Sequence, residues 1–317
     1  MLTCLSEQEP DRTPVAFWKH FPVDDQEADS LAEATLQFQK NYDLDIVKIT
    51  PASSYCLKDW GVEDRWNGNL EGTRDYTKRV IQNPNDWEKL KLLTPSAHHL
   101  AEQIKVLKRI KNTLGATTPI LQTIFSPLAQ AKNLSGNDVL LDHLRGSPEA
   151  VMAGLRTIAE STRRFVEACV EAGVDGIFYA VQHAQAGILR RVEYLTYGIP
   201  NDLRVLEPAR SLWCNLLHLH GREIYFDLVE SFAFPIINWH DRETRPSLTE
   251  AREQFGGALC GGLHQDTLVF GSHEEVLGEA HDALRQTGGS KFILGTGCVV
   301  PIVAPHGSLA AVRKAVE

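Results

Sequence analysis

The chain has 317 residues, of which 43% are hydrophobic and 23% are charged, and its formal net charge is -9. This length suits one large domain or two smaller ones, and the composition is that of an ordinary globular protein. Net negative charge without a basic run disfavours nucleic acid and an anionic membrane surface as partners. No apolar stretch approaches the ~20 residues that span a bilayer, and no apolar signal segment opens the chain. We therefore expect a cytoplasmic enzyme with a small-molecule substrate.

Six cysteines are spread along the chain, and none of them forms a CxxC pair. This spacing excludes a zinc finger and a thioredoxin-type motif. Most of the cysteines are expected to be buried as small hydrophobic residues. Cys298 differs from the others because it follows Gly295-Thr296-Gly297 at the end of an apolar segment.

Eight short apolar segments are predicted to be strands, and helical patterns separate them. The predicted strands cover residues 15–18, 45–50, 119–125, 176–182, 213–220, 235–239, 258–262 and 292–297. Ser147 as N-cap and Pro148 in the first turn open a helix that Gly173 ends. Further helical patterns cover 31–41 and 97–114, and Ser-x-x-Glu capping boxes open helices at 247–250 and 272–275.

Eight strands that alternate with helices predict a single-domain (β/α)8 TIM barrel over residues 14–317. The alternative is an open doubly wound sheet, but no GxGxxG motif opens a helix after the first strand. Residues 1–13 are predicted to be an N-terminal tail. The long polar segment 58–91 follows the second strand and is predicted to be a lid over the mouth or an oligomer contact.

The ends of the late predicted strands carry side chains that can bind a metal. His218 and His220 lie two residues apart and therefore point to the same face of a strand. Cys298 follows the last strand, and in a parallel barrel the strand ends meet at one mouth. Zinc takes about four N, S or O ligands, so these three residues are predicted zinc ligands. The alternative is that His218 packs inside the barrel and His220 caps a loop.

Two residues near the same mouth are candidates for acid–base catalysis. His240 ends the sixth predicted strand, and the carboxylate of Asp241 would orient it if both faced the site. Neighbours along a strand point to opposite faces, so Asp241 can instead pair with Arg242 or a helix end. Tyr179, near the end of the fourth strand, is either a hydrogen-bonding residue of the site or a core aromatic residue.

A second group of polar residues follows the predicted strands and is expected to contact the substrate. The alternative for each is a role in a loop or at a helix end. These residues are Lys19, Ser126, Gln182, His183 and Asp266.

Several motifs occur in a characteristic order along the chain. They are EATLQFQKNYDLD at 33–45, FSP at 125–127, AGVDG at 172–176, HLHG at 218–221, NW at 238–239, GGL at 261–263 and GTGC at 295–298, followed by Pro305. In this order and spacing, the chain resembles the uroporphyrinogen decarboxylase superfamily from about Pro14 to Val316. The resemblance implies a (β/α)8 barrel.

Two branches of that superfamily differ in their motifs. Decarboxylases carry RQAGR after strand one, an aspartate in a motif like FSDIL after strand two, and Gly-His-Gly after the last strand. This chain has KHFP at 19–22, KITPA at 48–52 and GCV at 297–299. Zinc-dependent corrinoid methyltransferases carry His-x-Cys-Gly after strand five and Gly-Cys after strand eight. Here HLHG at 218–221 and Gly297-Cys298 keep three ligands, one of them changed from Cys to His.

The resemblance to the methyltransferase branch implies a zinc ion and a corrinoid as substrate or on a partner protein. It also implies methyl or alkyl transfer to or from a thiol or corrinoid, and a homodimer. One alternative is decarboxylation of the uroporphyrinogen type in porphyrin metabolism. The other is a barrel that binds a corrinoid or tetrapyrrole without catalysis.

Overall fold

The protein is described by a computed structural model that covers residues 1–6, 8 and 10–317. Its strands are β1 (Val15–Ala16), β2 (Val47–Ile49), β3 (Glu63–Arg65), β4 (Asp75–Lys78), β5 (Ile120–Phe125), β6 (Gly176–Val181), β7 (Leu216–Leu219), β8 (Ile236–Trp239), β9 (Ala258–Leu263) and β10 (Phe292–Thr296). Its α-helices are α1 (Leu2–Leu5), α2 (Ala28–Tyr42), α3 (His98–Leu114), α4 (Pro127–Ser135), α5 (Asn137–Gly146), α6 (Pro148–Glu171), α7 (Arg191–Tyr197), α8 (Ile199–Leu206), α9 (Leu248–Gln254), α10 (Gln265–Phe270), α11 (His273–Thr287) and α12 (His306–Lys314). Short 3-10 helices occupy Asp24–Gln26, Lys58–Trp60, Pro84–Lys89, Glu207–Ala209 and Phe226–Phe232.

Eight of the strands form one parallel sheet in the order β1-β10-β9-β8-β7-β6-β5-β2. The ring is nearly closed between its first and last strands, where the Asp45 amide, just before β2, donates to the Val15 carbonyl at 3.0 Å. This is the predicted (β/α)8 TIM barrel, and all eight predicted strands are confirmed as its members. Several strands are shorter than predicted, because residues at their ends enter the loops without pairing to a neighbouring strand.

The helices begin where the capping signals predicted. Ser247 and Ser272 each accept a hydrogen bond from the backbone amide three residues later, in complete capping boxes at the starts of α9 and α11. Pro148 stands in the first turn of the 24-residue helix α6. These local signals fix where each helix begins, and the apolar faces then pack the helices around the barrel. Among the described residues, none of the helices has the length and apolar character needed to cross a membrane.

Side chains alternate between the inside and the outside of the barrel, and this alternation decides which residues can reach the mouth. In β6, Phe178 and Ala180 face the interior cavity. Tyr179 lies between them in sequence, and its ring packs outward against Phe232 and Phe234. In β7 and β8 the inward positions are occupied by His218 and Asn238, which are register partners.

Two segments lie outside the barrel repeat. Near the N-terminus, α1 places Cys4 in a fully buried position, where its thiol lies 3.3 Å from the Phe292 carbonyl. The segment 58–91 contains an antiparallel hairpin of β3 and β4, which was not predicted from the sequence. Glu71 and Thr73, from the loop of this hairpin, line the cavity at the barrel mouth. A role of this segment as lid or oligomer contact stays a prediction.

Candidate functional site

A cavity opens at the carboxyl ends of the barrel strands. Its wall includes residues from the ends of β2, β5, β6 and β7, and residues that follow β1 and β10. His218, His220 and Cys298 lie on one side of it, and Lys48 and Trp18 also line it. This is the edge of a parallel barrel at which active sites are built.

Four potential metal-binding side chains converge beside this cavity, and three of them line it. One ligand atom each from His218, His220, His240 and Cys298 lies within 4.8 Å of all the others. The Cys298 Sγ is 3.8 Å from His218 Nε2 and 3.8 Å from His220 Nδ1. His240 Nε2 is 3.2 Å from His220 Nδ1. Three imidazoles and one thiol are donors of the kind that tetrahedral zinc sites use.

Asn238 fixes the orientation of His218. Its side-chain amide donates to the backbone carbonyls of Cys260 at 2.9 Å and Thr296 at 3.0 Å. The amide oxygen is therefore the acceptor for His218 Nδ1, which lies 2.6 Å away. His218 must donate from Nδ1, so its Nε2 carries a lone pair and faces Cys298. A hydrogen-bonded partner of this kind is typical of metal-binding histidines.

His240 is oriented in a similar way. Its Nδ1 lies 3.1 Å from the Glu243 carboxylate, which leaves Nε2 directed at His220. Glu243 is also held by Arg222 at 3.1 Å. The neighbouring Asp241 points away from the cavity and accepts from the Gly262 amide at 3.1 Å. The orienting carboxylate is therefore Glu243 rather than Asp241.

Gly297 lets the end of β10 approach the end of β8. A Cβ at this position would lie 2.8 Å from the His240 Cα and 2.8 Å from the Trp239 carbonyl oxygen. Both neighbours are backbone atoms, and moving them would disturb the close packing around the strand ends. The absence of a side chain at Gly297 thus brings Cys298 to the histidines.

A match to a protein family covers this whole arrangement. The family described as uroporphyrinogen decarboxylase (URO-D) matches residues 1–317. The chain belongs to the uroporphyrinogen decarboxylase family. The resemblance found in the sequence motifs is thereby confirmed.

Relatives of two kinds are found within this family. A methylcobamide:CoM methyltransferase of Methanosarcina acetivorans is 22% identical over 253 residues, covering 79% of this chain and 72% of the relative. A uroporphyrinogen decarboxylase of Nocardioides sp. is 25% identical over 289 residues, covering 87% of this chain and 80% of the relative. At these identities, the relatives place the chain among enzymes without selecting one activity.

Solved structures confirm the architecture. A methyltransferase from Methanosarcina mazei superposes with a TM-score of 0.84 at 16% identity, over 99% of this chain and 96% of the other. A B12-independent methionine synthase from Shewanella sp. superposes with a TM-score of 0.62 at 16% identity, over 98% of this chain and 95% of the other. These likenesses establish the TIM barrel fold.

Of the residues predicted to contact substrate, Gln182 lines the cavity, and its side-chain oxygen accepts from Lys132 at 2.8 Å. His183 is fully buried beside it and is not among the lining residues. Neither ring nitrogen of His183 has a hydrogen-bond partner among the described residues. Burial, together with Lys132 and His220, lowers the pKa of His183 to about 3, so the ring is neutral.

The other three predicted contact residues lie elsewhere. The Lys19 ammonium packs on the rings of Phe21 and Phe38 at 5.4 Å from each, while its neighbour His20 lines the cavity. Ser126 caps α4 by accepting from the Ala129 amide. Asp266 is exposed in the first turn of α10. The structure brings none of the three into the wall of the cavity.

Tyr179, predicted at the site as a hydrogen-bonding or acid–base residue, faces the helices instead. Its hydroxyl donates to the Asp202 carboxylate at 2.6 Å, and Tyr194 donates to the same carboxylate at 2.6 Å. Burial raises the pKa of Asp202 to about 7. The alternation of side chains along β6 gives the reason, because Phe178 and Ala180 occupy the inward positions.

Tyr179→Phe is expected to lower the free energy of unfolding by about 2 kcal/mol, because a buried carboxylate loses one of its two donors. The measurement is urea unfolding followed by far-UV circular dichroism. Tyr197→Phe is the control, since its hydroxyl has no hydrogen-bond partner in the described part of the chain. Metal affinity is expected to stay unchanged in Tyr179→Phe, and a loss of affinity without a loss of stability would contradict this placement.

Two residues of the site were not identified from the sequence. Lys48 occupies the middle of β2 and is only 7% exposed, although its neighbours Val47 and Ile49 are apolar. A lysine inside an apolar strand was the available signal. Asn238 occurred only within the NW motif at 238–239.

Proposed function

We propose that this barrel transfers a methyl or alkyl group to a thiol with the help of a zinc ion. The convergence of His218, His220, His240 and Cys298 carries the proposal. This set extends the three ligands predicted from the sequence by His240, which was predicted as a catalytic residue. Zinc bound there would take up the sulfur of the acceptor thiol, either as a fifth ligand or in exchange for one of the four side chains, and would lower the pKa of that thiol.

The side chains around the donors have separate tasks in this proposal. Asn238 keeps the lone pair of His218 Nε2 directed at the site, and Glu243 does the same for His240. Phe178 stacks on the His218 ring with 5.2 Å between the ring centres, and both rings line the cavity. An apolar wall beside the donors would limit the access of water to the acceptor sulfur.

The relative from Methanosarcina acetivorans supports a methylated corrinoid as the methyl donor. The carbon–cobalt bond would break as the sulfur–carbon bond forms, its electron pair would stay on the cobalt of the corrinoid substrate, and the thiol proton would leave to solvent. The corrinoid would be a substrate carried by a partner protein, and a homodimer of this chain remains part of the proposal.

Decarboxylation of a porphyrinogen is a second candidate, which the Nocardioides relative supports. Such a substrate carries many carboxylates and is best held by several arginines. The residues that line the cavity in the described part of the chain include Lys48 but no arginine. The cavity therefore favours thiol chemistry.

The activity assay uses the zinc-loaded protein with methylcobalamin and 3-mercaptopropionate. The expected result is loss of the methylcobalamin absorbance together with a methyl thioether detected by mass spectrometry. The zinc-free protein and His218→Ala serve as controls and are expected to be inactive. Consumption of uroporphyrinogen by the zinc-free protein, with no thioether from any thiol, would favour the second candidate.

The affinity for zinc is expected to rise with pH, with the release of one proton. Burial lowers the pKa of His220 to about 3 and that of His218 well below its usual range, so both are already neutral. Burial raises the pKa of the Cys298 thiol to about 12, so the thiol must give up its proton to bind. We expect the association constant to rise about tenfold per pH unit between about pH 7 and 8.5.

Competition with a chromophoric chelator measures this slope. Cys298→Ala, where it still binds, is expected to show a flat profile, because the proton-releasing ligand is gone. A flat profile in the wild-type protein would mean that Cys298 does not bind as a thiolate.

A further inference from the structure

Lys48 is a buried cation whose charge has no partner. Its ammonium donates to the Thr50 hydroxyl at 3.2 Å and lies 4.4 Å from the centre of the Phe178 ring. No carboxylate among the described residues forms an ion pair with it, and burial lowers its pKa to about 7. A buried charged group without an ion-pair partner destabilises the folded state. A purely structural role therefore does not explain Lys48.

The ammonium shares a cavity with the proposed metal ligands. Lys48, His218, His220 and Cys298 all line it. Phe178 contacts both ends, since its ring lies near the Lys48 ammonium and also stacks on the His218 ring. A ligand only a few atoms long can therefore touch Lys48 with one end and the metal ligands with the other.

The surroundings of Lys48 contain an unpaired polar atom. His20 Nδ1 is buried without a hydrogen-bond partner among the described residues, and His20 lines the same cavity. Trp18 completes an aromatic wall, with its ring 5.1 Å from Phe178 and 5.8 Å from the Lys48 ammonium. Buried polar atoms normally have partners, so an unpaired nitrogen beside an ammonium without a counter-charge points to a polar ligand.

The charge of this pocket sets the charge of the ligand. The lining has one lysine and no arginine in the described part of the chain, and Glu71, which also lines the cavity, is exposed. One buried ammonium matches one anionic group, because a second would lack a counter-charge. Carboxylate and sulfonate groups both accept the charge-assisted hydrogen bond that an ammonium donates.

We propose that Lys48 binds the single anionic group of a small acceptor thiol, whose sulfur reaches the side of the cavity formed by His218, His220 and Cys298. The position of the sulfur beside the metal ligands rests on the proposed function, whereas the binding of the anionic group by Lys48 does not. Lys48 is thus a specificity-determining residue that selects acidic thiols over neutral ones.

The first test measures thiol binding to the zinc-loaded protein by calorimetry. The probes are 3-mercaptopropionate, 2-mercaptoethanesulfonate and the neutral 2-mercaptoethanol. Of the two acidic thiols, we expect the one with the higher affinity to bind about ten- to a hundredfold more tightly than the neutral thiol. Lys48→Met is expected to remove this preference. Lys48→Arg is expected to retain part of it. The two acidic probes distinguish a carboxylate from a sulfonate ligand.

Lys19→Met is the matched control, because its ammonium packs on aromatic rings outside this cavity. It is expected to keep the preference for acidic thiols. Circular dichroism and zinc content establish that Lys48→Met is folded and loaded. A wild-type protein without the preference, or a folded Lys48→Met that keeps it, would overturn the assignment.

A second test separates this inference from the proposed function. Propionate, ethanesulfonate and propanol contain no sulfhydryl group and are offered to the zinc-free protein in saturation-transfer NMR. Transfer to either anion with the wild type, absent with Lys48→Met and with propanol, supports the anion site even if no zinc binds. Absence of transfer to both anions in the wild type overturns it.

Discussion

Cys298→Ala is expected to abolish stoichiometric zinc binding. The wild-type protein, reconstituted and dialysed, is expected to hold about one zinc per chain. Cys298 supplies the only thiol of the four-residue cluster, and its thiolate would be the only negatively charged ligand there. Loss of a residue that only hydrogen-bonds to a metal ligand lowers metal affinity by roughly 10–100-fold. Loss of the ligand Cys298 itself should lower the affinity for zinc by more than that. The measurement is metal content by mass spectrometry, with affinity from chelator competition.

Two comparisons make this result specific. Cys169→Ala removes a fully buried thiol from α6, away from the mouth, and is expected to keep its zinc. His218→Ala removes a different ligand and is expected to lose zinc as Cys298→Ala does. If the reconstituted wild type holds no zinc, the metal centre is refuted, and if Cys298→Ala retains stoichiometric zinc, Cys298 is refuted as a ligand. Circular dichroism of the metal-free forms shows whether each variant is folded.

Asn238→Leu is expected to lower both zinc affinity and stability. The leucine removes the acceptor that holds His218 Nδ1, so the ring can turn away, at a cost of about 10–100-fold in affinity. It also leaves the carbonyls of Cys260 and Thr296 without their donor. Each buried group left unpaired costs about 1–3 kcal/mol, so the free energy of unfolding should fall by at least about 2 kcal/mol.

Asn238→Asp separates the two effects. A carboxylate still accepts from His218 Nδ1, but it cannot donate to the two carbonyls. Stability should therefore fall while zinc affinity is largely kept. Asn215→Leu is the matched control, because Asn215 is equally buried and bonds only to backbone groups of Ile177, Ala209 and Leu212. It should lose stability alone. Equal loss of zinc affinity in Asn215→Leu would show that the effect on the metal is indirect.

The barrel was predictable because its signals are local. Apolar runs, Ser-x-x-Glu boxes and strand ends identify the elements and their order. The spacing of His218 and His220 also predicted that both face one side, and they do lie together with Cys298. These inferences need only the alternation of a strand and the shared mouth of a parallel barrel.

The remaining features depend on register and on contacts between strands that no local pattern contains. Tyr179 and Gln182 lie three residues apart, so in an extended strand they cannot share a face, and only the structure shows that Gln182 is the one at the cavity. Asn238 acts on His218 because β7 and β8 pair at these residues. Glu243 replaces Asp241 as the partner of His240, because a tight turn brings it back to the ring.

Three of the four clustered side chains lie beyond the last residue of a strand. His220 follows β7, His240 follows β8, and Cys298 comes two residues after β10. The backbone pairing that holds the barrel together therefore does not depend on which side chains stand at these positions. Such a scaffold can exchange one donor for another during evolution and change its metal chemistry with little cost to folding. Within the cluster, only His218 lies inside a strand. Its hydrogen-bond partner Asn238 also bonds to backbone carbonyls of β9 and β10.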